Sequence, residues 1–295
     1  MRPRHRRIPD GRQHAAALTP QMRLKTFITV HDQDIILDSE TSGKFSRRLS
    51  DYQYVFVGSR DCEKVRRKNV VIARELPDNI EPENFFVDFT AWYAIVRNDL
   101  ADDAIVSLIQ YDTAMTETFE AETVSTAAEN PNCILGYIPE STTDENFLRN
   151  NMGAAPLTNA LKDVYGVSLD EVMKNDVPGS AKRSWPATNN VCMTPGILRA
   201  FVDWFEPMIG HIGNQPHAGH AFERSIKIFS QHAGIPIIYL PHVMTHFQVN
   251  SHGTQNFENR YENFKFDILT NRTVFPERAK SKASRFLAAL KNWRR

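Results

Sequence analysis

A carboxylate closes one of the apolar runs in the first half of the chain. The run spans residues 105–109, and Gln110-Tyr111-Asp112 follows it directly. Ligands of α/β sheets bind beyond the carboxyl ends of the strands, which makes Asp112 a candidate site residue. A carboxylate there can hold a divalent cation that takes its other ligands from water and a diphosphate. The alternative is that Asp112 caps a loop with its side chain, and the motif alone does not exclude this.

A second candidate, Glu223, lies in the segment 219–226, which the spacing of apolar residues predicts to be the start of a helix. We expect Glu223 in the first helical turn, where the helix dipole favours an ionised side chain. An ionised carboxylate that faces a cleft can take a proton from a hydroxyl group, so Glu223 is a candidate general base. The alternative is an ordinary first-turn glutamate, or one paired with Arg224 or Lys227.

Histidines are concentrated late in the chain, where seven of the ten lie between positions 211 and 252. Imidazole binds divalent metals and donates hydrogen bonds to phosphate. The spacing matches no structural zinc signature, because the sequence has neither paired cysteines nor an HExxH motif. Most of these histidines are expected to be structural. His242, His246 and His252 follow the last predicted strand, and one or two of the histidines are candidates for a metal or diphosphate site.

The segment Trp185-Pro186-Ala187-Thr188-Asn189-Asn190 has neither a helical nor a strand period. Sugar rings stack on indole, and their hydroxyl groups bond to amides, so Trp185, Asn189 and Asn190 are candidate acceptor-binding residues. A packed tryptophan with loop-capping asparagines is an equally good interpretation.

The elements that must position these residues alternate between strands and helices. Short runs that are apolar on both sides predict buried strands at 26–30, 54–57, 70–73, 105–109, 134–138 and 237–240. Apolar residues at helical spacing predict helices at 86–100, 154–165, 195–205 and 220–231. This alternation predicts an α/β domain over residues 24–275 with a mostly parallel central sheet flanked by helices, as in Rossmann-like folds. Polar residues just beyond the first three runs should share one sheet edge: His31, Gly58, Ser59, Arg60 and Arg74.

Composition limits the kind of partner. The formal net charge is zero, which argues against nucleic acid, but residues 1–25 and 277–295 each carry seven Lys or Arg and one acidic residue. Residues 1–23 are predicted to be a disordered basic tail. Three unpaired cysteines fit a cytoplasmic setting, and no run is long and apolar enough for a membrane-spanning helix.

The last segment, 276–295, predicts a basic amphipathic helix. Its apolar residues recur at spacings of three and four among lysines and arginines. Such a helix can lie on an anionic membrane surface, which would place the protein peripherally at the inner face of the membrane. The alternative is a helix that packs on its own domain.

The order of these features along the chain resembles that of bacterial surface-polysaccharide glycosyltransferases of the capsule and O-antigen type, which have the GT-A fold. The late histidine segment completes the order. The segments that carry the resemblance are FITVH (27–31), VFVG (55–58), FTAWYA (89–94), LIQYD (108–112) and HAFER (220–224).

The resemblance implies transfer of a sugar from a nucleotide-diphosphate donor to a hydroxyl group of a glycan or lipid-linked glycan. It implies an Mn²⁺ or Mg²⁺ ion held by Asp112 with His246 or His252, and Glu223 as the base of an inverting reaction. The donor-binding residues would be His31, Gly58, Ser59, Arg60, Arg74 and Gln110.

One position departs from the family pattern. The D-x-D motif reads Gln110-Tyr111-Asp112 and has a single carboxylate. Metal affinity would then be lower, or Arg60 or Arg74 would neutralise the phosphates without a metal. Two other functions stay open: a metal-dependent hydrolase built on the histidines, and a non-catalytic carbohydrate-binding protein with a degenerate transferase fold.

Overall fold

The computed structural model describes residues 22–81, 88–101, 104–141, 154–180, 184–213, 218–246, 265–267 and 272–274. The predicted tail up to residue 21, His252 and the predicted C-terminal helix lie outside the described residues. Within them, no helix combines the length and the apolar character needed to cross a membrane.

Thirteen strands are present among the described residues, and most are short. They are β1 (Leu24–Val30), β2 (Tyr52–Phe56), β3 (Val70–Ile72), β4 (Ile105–Gln110), β5 (Thr113–Met115), β6 (Ile134–Gly136), β7 (Pro139–Ser141), β8 (Ser184–Pro186), β9 (Val191–Met193), β10 (Ile237–Tyr239), β11 (Met244–His246), β12 (Lys265–Asp267) and β13 (Arg272–Val274).

The helices alternate with these strands in the first half and cluster in the second. They are α1 (Gln33–Ser42), α2 (Asp88–Arg97), α3 (Phe119–Glu129), α4 (Ala154–Tyr165), α5 (Leu169–Met173), α6 (Pro195–Phe205), α7 (Ile209–Ile212) and α8 (Ala218–Ala233). Short 3₁₀ turns lie at Glu63–Val65, Ala73–Glu75, Ala187–Asn189 and Glu206–Met208.

Seven strands form the central sheet in the order β10-β6-β9-β4-β1-β2-β3. Four of its six pairings are parallel, and only β9 runs antiparallel, between β4 and β6. The predicted α/β fold with a mostly parallel sheet is therefore confirmed. Since β1, β2 and β4 are parallel neighbours, the residues that follow them meet at one edge.

The helices that carry the site pack against one another through aromatic side chains. Trp92 on α2 is 1% exposed, and its ring lies 5.0 Å from that of Phe222 on α8. Phe89 lies 4.5 Å from Phe205 on α6. Burying such side chains contributes about 1.5–3 kcal/mol each, which fixes α2 against α8. The residues next to these anchors in sequence, Asp88 and Glu223, are positioned by the same packing.

The structure moves several predicted boundaries by one to three residues and adds elements that the apolar pattern did not indicate. Helix α1 begins at Gln33 in a segment where no helix was predicted, and the preceding Asp32 caps it by accepting a hydrogen bond from the Asp34 N–H at 3.0 Å. Helix α3 and strand β9 were also missed.

Helix α8 begins at Ala218, so Glu223 is its sixth residue and the expected first-turn position is wrong. The predicted domain boundaries at 24 and 275 stay predictions.

Candidate active site

The loop after β2 forms one wall of a cavity of about 330 Å³ at the carboxyl edge of the sheet. Gly58 has φ 88°, which favours glycine over other residues. Its N–H donates to the Glu81 carboxylate at 2.9 Å, and its carbonyl accepts from Arg74 Nη1 at 2.5 Å. Arg74 also donates to the Arg60 carbonyl at 3.1 Å. Arg74 therefore braces the loop through its backbone, and this loop with Ser59 lines the cavity.

His31 and Arg60 supply the basic groups of this cavity. Arg60 Nη1 lies 2.6 Å from Asp32 Oδ2 in a partly exposed ion pair. Burial and then the positive charge of Arg60 lower the pKa of His31, whereas Asp32 and Asp112 oppose this shift. His31 is therefore neutral at neutral pH and can donate or accept a hydrogen bond.

Asp112 follows β4 in the predicted position. Tyr111 packs edge-on against the His31 ring, with centroids 5.3 Å apart, and so links the turn to the cavity. The Tyr111 carbonyl accepts a hydrogen bond from the Lys44 ammonium. Burial lowers the pKa of Lys44, and the negative charge of Asp112 opposes that shift. Because the Tyr111 carbonyl belongs to the peptide that joins Tyr111 to Asp112, the ammonium lies beside the backbone of Asp112.

A buried carboxylate that the sequence did not reveal, Asp88 at the start of α2, lies beside these groups. It is 5% exposed, and its Oδ2 accepts from Gln110 Nε2 at 2.6 Å and from Asn189 Nδ2 at 2.8 Å. Burial raises the pKa of Asp88 to about 6, the two amides oppose the shift, and the charges of Asp112 and Glu223 add to it. These three carboxylates are thus within electrostatic reach of one another. Gln110 has no carboxylate of its own, but its side-chain amide binds that of Asp88.

Glu223 is held by the turn that follows β8. One carboxylate oxygen accepts from the Thr188 N–H at 2.7 Å, and the other accepts from Arg224 Nη1 at 3.0 Å. The Glu223 side chain is 19% exposed, and that of Arg224 is 11% exposed. The predicted alternative of pairing with Arg224 is therefore observed, and it leaves the carboxylate partly accessible.

The predicted acceptor residues are all buried. Trp185 is 3% exposed, and the Arg224 guanidinium covers its ring at 4.7 Å. Asn189 holds Asp88, while Asn190 Oδ1 accepts from the Gln110 N–H at 2.8 Å. These contacts organise the turn and the carboxylates, and an acceptor-binding role for the three residues stays a prediction.

Metal ligation was predicted for Asp112 with His246 or His252. Within the described part of the chain, no group of three His, Cys, Asp or Glu side chains is placed to hold a metal by itself. His246 ends β11, where its backbone pairs with Thr113, next to Asp112. His252 lies outside the described residues. His242, which was part of the same cluster, contacts Glu122 on α3 at an exposed position.

Asp88, Lys44 and Glu81 escaped the sequence analysis because each comes from outside the turns that follow the apolar runs. An acidic residue directly before the apolar helix 89–96 was the one available signal for Asp88. In the sequence, however, Asp88 does not differ from an ordinary acidic residue of a first helical turn. Lys44 follows a helix that the sequence did not predict.

No protein-family model matches the chain, and no curated protein sequence matches it significantly. Among solved structures, the apo structure of the bifunctional glycosyltransferase WbbM is similar, with a TM-score of 0.54 and 14% sequence identity. The match covers 76% of this chain and 45% of that one, so the chain corresponds to less than half of WbbM. At this identity the likeness concerns the fold, and the chain has a distant glycosyltransferase-like fold.

Proposed function

We propose that this protein transfers a sugar from a nucleotide-diphosphate donor to a hydroxyl group of a glycan. One observation carries the proposal: the end of β4 and the turn after β8 hold Asp88 and Glu223 by hydrogen bonds, and Asp112 follows β4. The cavity lined by His31 and Arg60 lies at the same carboxyl edge of the sheet. Basic and neutral polar groups suit the nucleotide and its phosphates, and carboxylates suit the reacting hydroxyl group. The likeness to a protein described as a glycosyltransferase supports the same class.

In this mechanism, the first half of the chain binds the donor. Arg60 offers a guanidinium to the phosphates, and neutral His31 offers a ring N–H. Glu81 holds the Gly58 N–H and Arg74 holds the Gly58 carbonyl, which would fix the loop at Gly58 and Ser59 against the nucleotide.

Glu223 would act as the base that takes the proton from the acceptor hydroxyl, which makes the reaction inverting. Its carboxylate is oriented by the Thr188 N–H, and part of it stays accessible. Transfer passes through an oxocarbenium-like state, in which nearby carboxylates stabilise positive charge on the sugar. The charges of Glu223 and Asp112 both act on Asp88, which would share that role.

The donor set at Asp112 fits a divalent cation of the Mn²⁺ or Mg²⁺ type. Such ions need one or two carboxylates when a diphosphate and water supply the other oxygens, and Asp112 and Asp88 are two carboxylates whose charges interact here. Asp112 would hold the ion, with His246 as a neighbouring candidate. When bound, the ion would neutralise charge on the leaving diphosphate.

We extend the proposal to a lipid-linked or other surface glycan as acceptor and to a peripheral, cytoplasmic location. Its support is the basic amphipathic pattern of residues 276–295, which could dock on anionic lipid. The alternative of a metal-dependent hydrolase stays a prediction, and the histidines among the described residues form no ligand group that supports it.

Binding of nucleotide-sugars tests the proposal. We expect at least one of the UDP-, GDP-, CMP- and dTDP-sugars to raise the melting temperature, with or without MnCl₂, because ligands that bind the folded state stabilise it. Asp38→Asn, an exposed change on α1, serves as a control and should respond like the wild type. If no nucleotide-sugar stabilises the protein under either condition, the transferase proposal is rejected in favour of a carbohydrate-binding protein.

A further inference from the structure

Lys44 lies just after the end of α1, where the chain reverses direction. Gly43 has φ 65°, a left-handed conformation that ends the helix, and its N–H donates to the Glu40 carbonyl at 3.0 Å. The Lys44 N–H donates to the Ser39 carbonyl at 2.9 Å. This cap fixes the backbone of Lys44, so that its side chain can reach from α1 to the turn after β4.

The Lys44 ammonium is held at the peptide between Tyr111 and Asp112. It donates to the Tyr111 carbonyl and lies 5.0 Å from the centre of the Phe45 ring. A half-buried ammonium loses hydration, and the carbonyl, the ring and the charge of Asp112 compensate for that loss. The arrangement keeps a positive charge at the peptide that carries Asp112, the candidate residue for the diphosphate end of the site.

We propose that Lys44 is a positioning residue for diphosphate binding, an inference that rests on the proposed function. The ammonium ties down the turn that presents Asp112, and its charge offsets negative charge that would otherwise accumulate when a diphosphate enters beside Asp112, Asp88 and Glu223. The ligand class that would depend on Lys44 is therefore a nucleoside diphosphate, and a monophosphate should depend on it much less.

A lysine that only stabilises the fold would make the same kind of bond to a backbone carbonyl. Another lysine of this chain makes such a bond and serves as a matched control. Lys25 on β1 also donates from Nζ to a backbone carbonyl, that of Leu100, at 2.7 Å, and it lies 5.3 Å from the Phe27 ring. Lys25 lies at the start of β1, and Leu100 lies in the chain before β4. Both are therefore at the amino ends of these strands, opposite the site. Lys25→Met thus removes the same kind of bond away from the carboxylates.

The experiment measures nucleotide affinity by calorimetry on the full chain. The probes are the tightest binder among UDP, GDP, CDP and dTDP and its monophosphate, each with and without MnCl₂. We expect Lys44→Met to weaken diphosphate binding by about tenfold and monophosphate binding by less than about twofold, as lost charge-assisted interactions do. Lys44→Arg should restore most of the diphosphate affinity, because it keeps the charge, and Lys25→Met should change neither affinity.

Lys44→Gln can still donate a hydrogen bond but carries no charge, and it replaces Lys44→Met if the latter does not fold. It should lose diphosphate affinity to a similar extent. Equal weakening of mono- and diphosphate, or the same pattern in Lys25→Met, would overturn the inference and leave Lys44 as a structural tie. If the wild type binds none of the four diphosphates, the proposed function fails, whereas normal wild-type binding with an unaffected Lys44→Met removes the Lys44 inference alone.

Discussion

Replacing Asp88 by asparagine should make the protein more stable and less active at the same time. Burial raises the pKa of this carboxyl from 3.8 to about 6, so the folded state binds the proton more tightly than the unfolded chain does. Each pKa unit corresponds to about 1.36 kcal/mol, and the shift corresponds to a cost of about 3 kcal/mol for ionised Asp88 in the folded protein. Asparagine keeps an acceptor oxygen for Gln110 and Asn189 and removes the charge.

The sign of the pH dependence follows from the raised pKa. At a pH above about 6, Asp88 is ionised in both states, and the full cost destabilises the fold. As the pH falls from 6 towards 4, the folded protein takes up a proton before the unfolded chain does, and the cost disappears. We therefore expect Asp88→Asn to raise the free energy of unfolding by up to about 3 kcal/mol at pH 8 and to change it little near pH 4.

Urea denaturation between pH 4 and pH 8, followed by circular dichroism, measures this difference. The urea midpoint should rise at pH 8 with an unchanged slope, and Asp38→Asn should show no comparable change. Sugar transfer by Asp88→Asn should fall although the fold is more stable, as expected where a buried charge costs stability but serves activity. A variant that is less stable than the wild type at pH 8, or that retains the wild-type pH profile, would refute the claim that Asp88 is buried at a cost.

Three further predictions concern the other carboxylates and the C-terminal segment. Asp112→Ala should abolish transfer and any Mn²⁺ binding detected by calorimetry while leaving the circular dichroism spectrum unchanged; wild-type activity would remove Asp112 from the site. Glu223→Gln should lower the turnover number by about a hundredfold or more, with donor binding retained, because that is the usual cost of losing a general base. Loss of donor binding in this variant, or retention of anomeric configuration by the wild type, would contradict the base role. Deleting residues 277–295 should abolish flotation with anionic vesicles at low salt, and binding that survives the deletion would show that this segment is not the anchor.

Most of the sheet could be predicted because its strands are apolar on both faces. The runs that became β1, β2, β3 and β4 stand out without any knowledge of their neighbours. Strand β9 could not be found in the same way, since it has three residues and directly follows an irregular turn. Helix α1 escaped because only Ile36 and Ser39 are buried along it, which leaves too weak an apolar face to detect.

The site could be predicted in part for a similar reason. Asp112 was found because a strand end is a local feature, and strand ends share an edge in a parallel sheet. Asp88 depends on contacts across 22 residues to Gln110 and 101 residues to Asn189, which no local pattern encodes. Glu223 was singled out by an expected first-turn position that is wrong, since it is the sixth residue of α8. Its partners Thr188 and Arg224, which the sequence does not place, decide how it is oriented.

The turn after β8 explains how a chain with a single carboxylate after β4, Asp112, can still assemble a carboxylate site. Thr188 and Asn189 both have positive φ angles, 60° and 56°. This conformation costs roughly 1–2 kcal/mol for a residue such as threonine and less for asparagine. Such strain persists only where surrounding contacts fix the backbone. Here the Thr188 N–H holds Glu223, the Asn189 amide holds Asp88, and Asn190 holds the backbone of Gln110. Relaxing the turn would release both carboxylates, so the strained conformation and the site stabilise each other.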